Sequence, residues 1–438
     1  MARVSVFGLG YVGTVTAAAL AADGHDVVGV DPNPVKVESV NGGRSPVIER
    51  GLDDLLERVV TEGRLTATRD AVEAVRSTSI SIVCVGTPSR ENGSLDLSHV
   101  RHVSREIGSA LADRDTFHVV VVRSTMLPGS TAEVVITELE AASGRRRDED
   151  FGVSFNPEFL REGSSLDDYH HPPYTLIGSE DARTAEVVAS LYAHIDAEVI
   201  HTSIPVAEML KYVSNAYHAL KVTFANEIGN ICAAQDIDSH AVMDIFVRDT
   251  KLNVSAAYLR PGFAFGGSCL PKDLRALTYH GRRLDIVSPV LEAIMPSNRL
   301  QVEKAYRMIE STGKRLVGVL GMSFKPGTDD LRESPMVELI ERLIGKGYDV
   351  RVFDRNVSIA GLYGANRTYI ENEIPHIATL MADSVQGLVA DAEVLVVGHS
   401  DPEFVEAVKE AGADTVIIDL VRIAGDTDLG SGYAGISW

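Results

Sequence analysis

The 438 residues suffice for about three domains of ordinary size, each with its own core. Forty-five per cent apolar and 24% charged residues are proportions of a globular chain, and no apolar run approaches the roughly 18 residues of a membrane span. Lysine and arginine number 41 against 62 acids, a formal charge of −21, which disfavours general polyanion binding, nucleic acid included, and leaves any anionic ligand to local basic groups.

In chain order, residues 3–7 read as a short apolar strand, followed by GLGYVG with Gly8, Gly10 and Gly13 and by the small-residue helical pattern of residues 14–22. Strand, glycine turn and helix together form the dinucleotide fingerprint. Gly8 permits the turn, Gly10 lets backbone approach a pyrophosphate, Gly13 allows close helix packing, and the helix N-terminus faces the negative charge. A second strand, residues 26–30, ends in Asp31, placed to bond a ribose 2′-hydroxyl and to repel a 2′-phosphate, so NAD is expected rather than NADP. The first strand begins so near Met1 that no signal peptide is expected.

Strand-like runs at 79–85, 119–122, 152–155 and 175–177 then alternate with helical patterns, predicting a doubly wound parallel sheet. VGTPS (85–89) and RSTMLPG (123–129) follow two of these strands, where such sheets bind ligands, making Thr87 and Thr125 candidates, although threonines there often only cap the next helix. The RRRDED run at 145–150 reads as a solvated loop.

From residue 206 to about 236 the pattern becomes one long helix. Lys211, Asn215, His218 and Asn226 fall within a band roughly 80° wide at 100° per residue, interrupted by Val222. A partly solvated helix face would also produce such a band. Beyond it, PGFAFGGSCLPKD (261–273) places Cys269 before Pro271 and Lys272. A helix N-terminus and a neighbouring cation favour the thiolate, the nucleophilic form, whereas a buried cysteine is ordinarily a small hydrophobe. Cys84 and Cys232 are the other cysteines, too few and scattered for a disulfide framework, and no metal-type CxxC or HExxH accompanies them. A reducing, cytoplasmic setting and no metal are therefore expected.

After residue 314 a second α/β pattern begins, with strands at 316–320, 349–353 (followed by Asp354), 393–397 and 415–418, and with Ser334 and Pro335 as cap and first residue of a helix. Its first turn, GMSFKPGTDDLRESP, lacks GxGxxG but offers Lys325 and Arg332. The expected architecture is α/β: a Rossmann domain (1–202), a central helical domain (203–300) and a second Rossmann-like domain (301–438), the two doubly wound sheets joined by a long helix.

A redox-cofactor loop, a reactive thiol and a second nucleotide-type domain suggest oxidation of an alcohol to an aldehyde, its capture by the thiol, and a second oxidation to a thioester that water releases as an acid. FGLGYVG (7–13), VGTPS, RSTMLPG, NPEFLREG (156–163), GFAFGGSCLPKD (262–273) and GMSFKPGTDDLRESP (321–335) occur in the order found in the UDP-glucose/GDP-mannose dehydrogenases, which the chain resembles over essentially its whole length. The resemblance implies NAD-dependent four-electron oxidation at C6 of a nucleotide-linked hexose. It makes Cys269 the nucleophile, Lys211 and Asn215 the oxyanion donors and Asp273 the group ordering the hydrolytic water, with Glu158 and Thr125 assisting proton movement.

By the same resemblance Gly8, Gly10, Tyr11, Val12, Gly13, Asp31, Lys36, Thr87, Thr125, Lys272 and Arg332 match cofactor positions. Glu162, Lys211, Asn215, His218, Asn226, Tyr258, Arg260, Phe263 and Lys325 match substrate positions, and Cys84 and Cys232 remain structural. HALKVTFANEIGNI, KLNVSAAYLRPGFAFGGSCLPKD and the ending GISW are closer to the GDP-mannose side of the family than to the UDP-glucose side, the alternative. One departure is Ala257, where the GDP-mannose pattern has a tyrosine beside Tyr258. The family also implies a homodimer or larger homo-oligomer built on the central helix, with Arg260 the residue to cross into a partner's site. Two other classes stay open on the residues alone: a nucleotide-sugar-binding regulator without catalysis, and a two-electron dehydrogenase in which Cys269 is structural.

Overall fold

Runs rich in valine and isoleucine become strands buried on both faces, as parallel sheets covered by helices require. In the computed structural model, which describes residues 1–233, 235–250, 260–283, 285, 288–357, 377–423, 425 and 430–438, two compact units emerge, Met1–Ser214 and Asn215–Trp438.

The first unit carries β1 (Arg3–Phe7), β2 (Asp26–Val30), β3 (Leu65–Thr68), β4 (Ile80–Val83), β5 (His118–Val122), β6 (Phe151–Phe155), β7 (Thr175–Gly178) and β8 (Val199–Thr202). Their order in the sheet is β3-β2-β1-β4-β5-β6-β7-β8. Pairing is parallel except at the β6–β7 junction, which joins antiparallel through Phe155 and Gly178. Every residue of β4, β5 and β6 is buried. One helix layer packs Val15, Leu20 and Leu56 against the sheet, the other Ile107, Leu139 and Val135. The order reverses between β1 and β4, and the crevice beyond their C-terminal ends is where such sheets take ligands.

The second unit holds β9 (Leu316–Leu320), β10 (Asp349–Phe353), β11 (Val394–Val397), β12 (Val416–Asp419) and β13 (Tyr433–Gly435), in the all-parallel order β10-β9-β11-β12-β13. A core of Val319, Ile340, Leu343, Val350 and Val396 lies against it. The predicted long helix is Ile204–Ala233, 30 residues, roughly 45 Å at 1.5 Å per residue. Among the described residues no helix is long and apolar enough to cross a membrane.

Ser334 does stand at the N-cap of the helix Pro335–Gly345, but its hydroxyl does not cap it. It donates instead to the Met322 carbonyl at 2.7 Å, tying the helix start to the loop after β9.

Candidate active site

At the switch point of the first unit, Gly8 turns with φ +94°, a conformation only glycine adopts without strain. A Cβ on Gly13 would lie 1.7 Å from the Gly8 carbonyl oxygen, whereas one on Gly10 would meet nothing within 4 Å. The loop is thus closed on its helix side and open at Gly10. No side chain caps the helix Tyr11–Ala22, so its first amides and positive dipole end suit an anion. Asp31, 4% exposed, accepts the Leu9 amide at 2.8 Å and the Lys36 ammonium at 3.1 Å on one oxygen and the Asn33 amide at 2.9 Å on the other. Besides its predicted ribose role, this carboxylate holds the glycine loop to the end of β2. Val12 is half-buried on the same turn. The residues present fit a dinucleotide.

The two predicted strand-end loops meet. The Thr87 hydroxyl donates to the Thr125 carbonyl at 2.8 Å, and Ser124 Oγ to the Val85 carbonyl at 2.7 Å. Two acids that the sequence reading missed complete the scaffold. Glu49, buried, accepts the Tyr11 hydroxyl and the amides of Gly163 (2.7 Å) and Ser165 (3.1 Å), tying the glycine turn to the end of NPEFLREG. Burial and this carboxylate hold the Tyr11 phenol well above its usual pKa. Glu208, fully buried on the long helix, accepts the amides of Gly129 (2.7 Å) and Thr131 (2.8 Å) and the Thr131 hydroxyl (2.7 Å), pinning the Thr125 loop.

Lys211 Nζ donates to Glu158 Oε1 at 2.9 Å and to the Glu158 carbonyl at 2.8 Å, and both side chains are under a tenth exposed. Burial disfavours the Glu158 carboxylate, but the Lys211 charge and hydrogen bond outweigh it and hold the pKa below the ordinary value. Glu162 lies half-buried on the same loop.

In the second unit Cys269 is exposed. Its carbonyl accepts the Asp273 amide at 2.9 Å, so it stands at the N-cap of the helix Leu270–Arg283, with Pro271 in the first turn. That dipole end favours a thiolate. Cys84, by contrast, is pushed up to about 12 by burial, and Cys232 is buried. Asp273, 1% exposed, accepts the Asn215 side-chain amide at 2.5 Å and pairs with Lys272 at 3.3 Å.

The thiol's loop is locked in place. A Cβ on Gly266 would lie 2.4 Å from the Glu333 carbonyl, and Gly267, at φ +85°, packs so close that a Cβ would lie 2.8 Å from the Phe324 ring. Asn226 bridges the loop backbone, donating to the Phe263 carbonyl (3.0 Å) and accepting the Gly262 amide (2.8 Å). Asn298, another residue the sequence reading missed, does the same at Phe265 (2.8 and 2.9 Å). The amide of Asn226, expected at the substrate, is therefore engaged in holding the loop.

Arg332 makes a two-pronged pair with Asp330 at 2.9 and 2.6 Å. Lys325, His218 and Phe263 are half-buried. Arg260 is exposed, 3.6 Å from Asp244. Tyr258 and Ala257 lie outside the described residues. The predicted residues thus gather as Lys211 with Glu158, Thr87 with Thr125 and the Tyr11 and Asp31 turn in one unit, and as Cys269 with Asp273, Asn215 and Lys272 in the other.

Residues 2–196 match the NAD binding domain of the UDP-glucose/GDP-mannose dehydrogenase family, residues 205–300 its central domain and residues 318–426 its UDP binding domain. The chain belongs to the UDP-glucose/GDP-mannose dehydrogenase family. It is similar to the GDP-mannose 6-dehydrogenase of Pseudomonas aeruginosa, 50% identical over 436 residues and the full length of both chains. It superposes on a UDP-glucose dehydrogenase from Pyrobaculum islandicum with a TM-score of 0.90 at 34% identity, covering 100% of this chain and 98% of that one. On a ternary complex of the Pseudomonas aeruginosa GDP-mannose dehydrogenase the TM-score is 0.58 at 50% identity, both chains fully covered.

As a member of the UDP-glucose/GDP-mannose dehydrogenases the chain is an oxidoreductase with an NAD binding domain. The glycine turn, Asp31, Thr87, Thr125 and Glu158 fall inside that domain. Lys211, Asn215, Cys269 and Asp273 fall in the family's central domain, and Lys325 and Arg332 in its UDP binding domain.

Proposed function

We propose that this protein oxidises GDP-mannose at C6 to GDP-mannuronate in two NAD-dependent steps. The observation that carries the choice of sugar nucleotide is identity: 50% along the whole chain to proteins named GDP-mannose 6-dehydrogenase, against 35% to the UDP-glucose 6-dehydrogenase of Haloferax volcanii. A UDP-hexose is the second reading, favoured by the match of residues 318–426 to the family's UDP binding domain.

The glycine turn, the helix amides at Tyr11 and Val12, and Asp31 hold the cofactor, with Lys36, Thr87, Thr125, Lys272 and Arg332 its further contacts. Bound NAD supplies the hydride acceptor for each of the two oxidations. Glu158 and Thr125 take part in removing the C6 hydroxyl proton as the alcohol becomes an aldehyde. The Cys269 thiolate then adds to the aldehyde carbon, and the new C–S bond leaves charge on oxygen, which Lys211 and Asn215 stabilise as donors. Removing one such donor commonly costs about 100- to 1000-fold in rate. Loss of the second hydride gives a thioester. Water ordered by Asp273 attacks it, the C–S bond breaks, and the acid leaves with the thiolate restored.

Glu162, His218, Asn226, Tyr258, Arg260, Phe263 and Lys325 serve the sugar nucleotide, Asn226 by positioning the loop it holds. The domain division at 202 and 300 follows these roles. Val206, Val213, Tyr217 and Phe224 form an exposed apolar stripe at spacings of seven, four and seven residues along the long helix, which a second copy would cover in a homodimer. The setting is cytoplasmic, and a nucleotide-linked uronate is an activated donor for an acidic exopolysaccharide such as alginate. The test is product analysis with Cys269→Ser: acid production collapses while NAD binding persists. Near-normal turnover in that variant would remove the thioester route.

A further inference from the structure

Asp23, His170 and His194 come from three separate segments and converge on one spot of the first unit. Asp23 is the C-cap of the helix Tyr11–Ala22, His170 ends the helix Ser165–His170, and His194 follows the helix Ala182–Ser190. Their ligating atoms all lie within 4.8 Å of one another, and His194 Nε2 is 3.0 Å from Asp23 Oδ2. We propose that these three side chains form a binding site for a borderline divalent cation of the zinc class.

Two imidazole nitrogens and one carboxylate oxygen are the donor set that selects zinc, cobalt or nickel over magnesium and calcium, which require oxygen ligands. Metal–ligand bonds of about 2.0–2.2 Å in a tetrahedron place ligand atoms roughly 3.3 Å apart. The trio's ligating atoms, all within 4.8 Å of one another, would draw together to reach that spacing. One support that a metal site uses is already in place, a hydrogen bond that orients the carboxylate ligand. Buried Tyr169 donates its hydroxyl to Asp23 Oδ2 at 3.0 Å, and its ring stands edge-on to the His170 imidazole, centroids 5.1 Å apart. The Asp23 side chain is 7% exposed and that of His194 40%, giving a buried anchor with an open approach. His25, the neighbouring imidazole, accepts the Ala2 amide on Nδ1 and stays outside the set.

The location separates this site from the cofactor loop. Twelve helical residues, roughly 18 Å, lie between Gly10 and Asp23. The cation would fasten the far end of the nucleotide-loop helix to the segment following Gly163, so its effect is on the stability of this unit.

Tag-free full-length protein, stripped with chelator and dialysed, is titrated with Zn2+ by calorimetry and with Co2+ by absorption, Mg2+ serving as the oxygen-preferring control. The Cys269→Ser chain is titrated in parallel, because the exposed thiol is the competing ligand. The expected result is one equivalent of Zn2+ per chain that survives Cys269→Ser, raises Tm, and is not displaced by Mg2+. His170→Asn and His194→Asn each weaken it more than about tenfold, Tyr169→Phe weakens it about tenfold, and His194→Asn leaves metal-free NADH production unchanged. No saturable equivalent, or an equivalent retained in the double histidine variant, would overturn the site and leave the Asp23–His194 contact as a structural one.

Discussion

Lys211 reaches both the side-chain oxygen and the backbone carbonyl of Glu158, at 2.9 and 2.8 Å, in a pair almost sealed from water. The ammonium thereby keeps a buried carboxylate ionised and fixes the loop that carries it. Because the Glu158 pKa is lowered from its ordinary 4.5, its contribution to stability is complete above about pH 4.5 and lost as pH falls through the lower folded value. Glu158→Gln should therefore lower Tm at pH 7, and the two Tm curves should converge in acid. Parallel curves from pH 7 to 3 would contradict the pairing. Lys211→Met, which leaves the carboxylate buried without its cation, should cost about 3–5 kcal/mol in denaturant unfolding.

Thiol reactivity should separate the three cysteines. Iodoacetamide at pH 8 should modify Cys269, exposed at a helix N-terminus, and abolish activity with a single label. Cys84, buried and pushed up to about 12, and buried Cys232 should react only on unfolding. Peptide mapping that finds Cys84 labelled first would refute the assignment.

The thiol loop has no room for a methyl group at Gly266 or Gly267. Gly266→Ala or Gly267→Ala should shift Cys269 and lower kcat about 100-fold, the scale of a 1 Å misplacement, while the dissociation constant for NAD stays the same. Loss of NAD binding to the same extent would mean that the chain had failed to fold.

Glu49→Ala should raise KM for NAD and lower Tm, since it releases the Tyr11 hydroxyl and the amides of Gly163 and Ser165 at once. Glu49→Gln keeps acceptor capacity on one oxygen and should recover part of both. Steady-state kinetics of the pair decides it: equal kinetics in the two variants would deny the carboxylate this role.

Much of the fold was legible because contiguous valine and isoleucine runs announce buried strands, and the glycine turn and Asp31 follow from local spacing. The strands Leu65–Thr68, Val199–Thr202 and Tyr433–Gly435 escaped, being short and interrupted by polar, small or half-exposed residues. Glu208 escaped for another reason. It acts on Gly129 from 79 residues away, and nothing local marks a glutamate whose partners are distant amides. Glu49 reaches Gly163 across 114 residues in the same way. Asn226 was visible as a polar position on a helix, but such a position looks the same whether its amide serves a ligand or the protein's own loop.

The most direct measurement is NADH formed per mole of limiting GDP-mannose, with UDP-glucose run in parallel. Two equivalents from GDP-mannose, with GDP-mannuronate as product and little turnover of UDP-glucose, is the predicted result. A single equivalent with an aldehyde product, or two equivalents from UDP-glucose alone, would contradict it, the first in its mechanism and the second in its substrate.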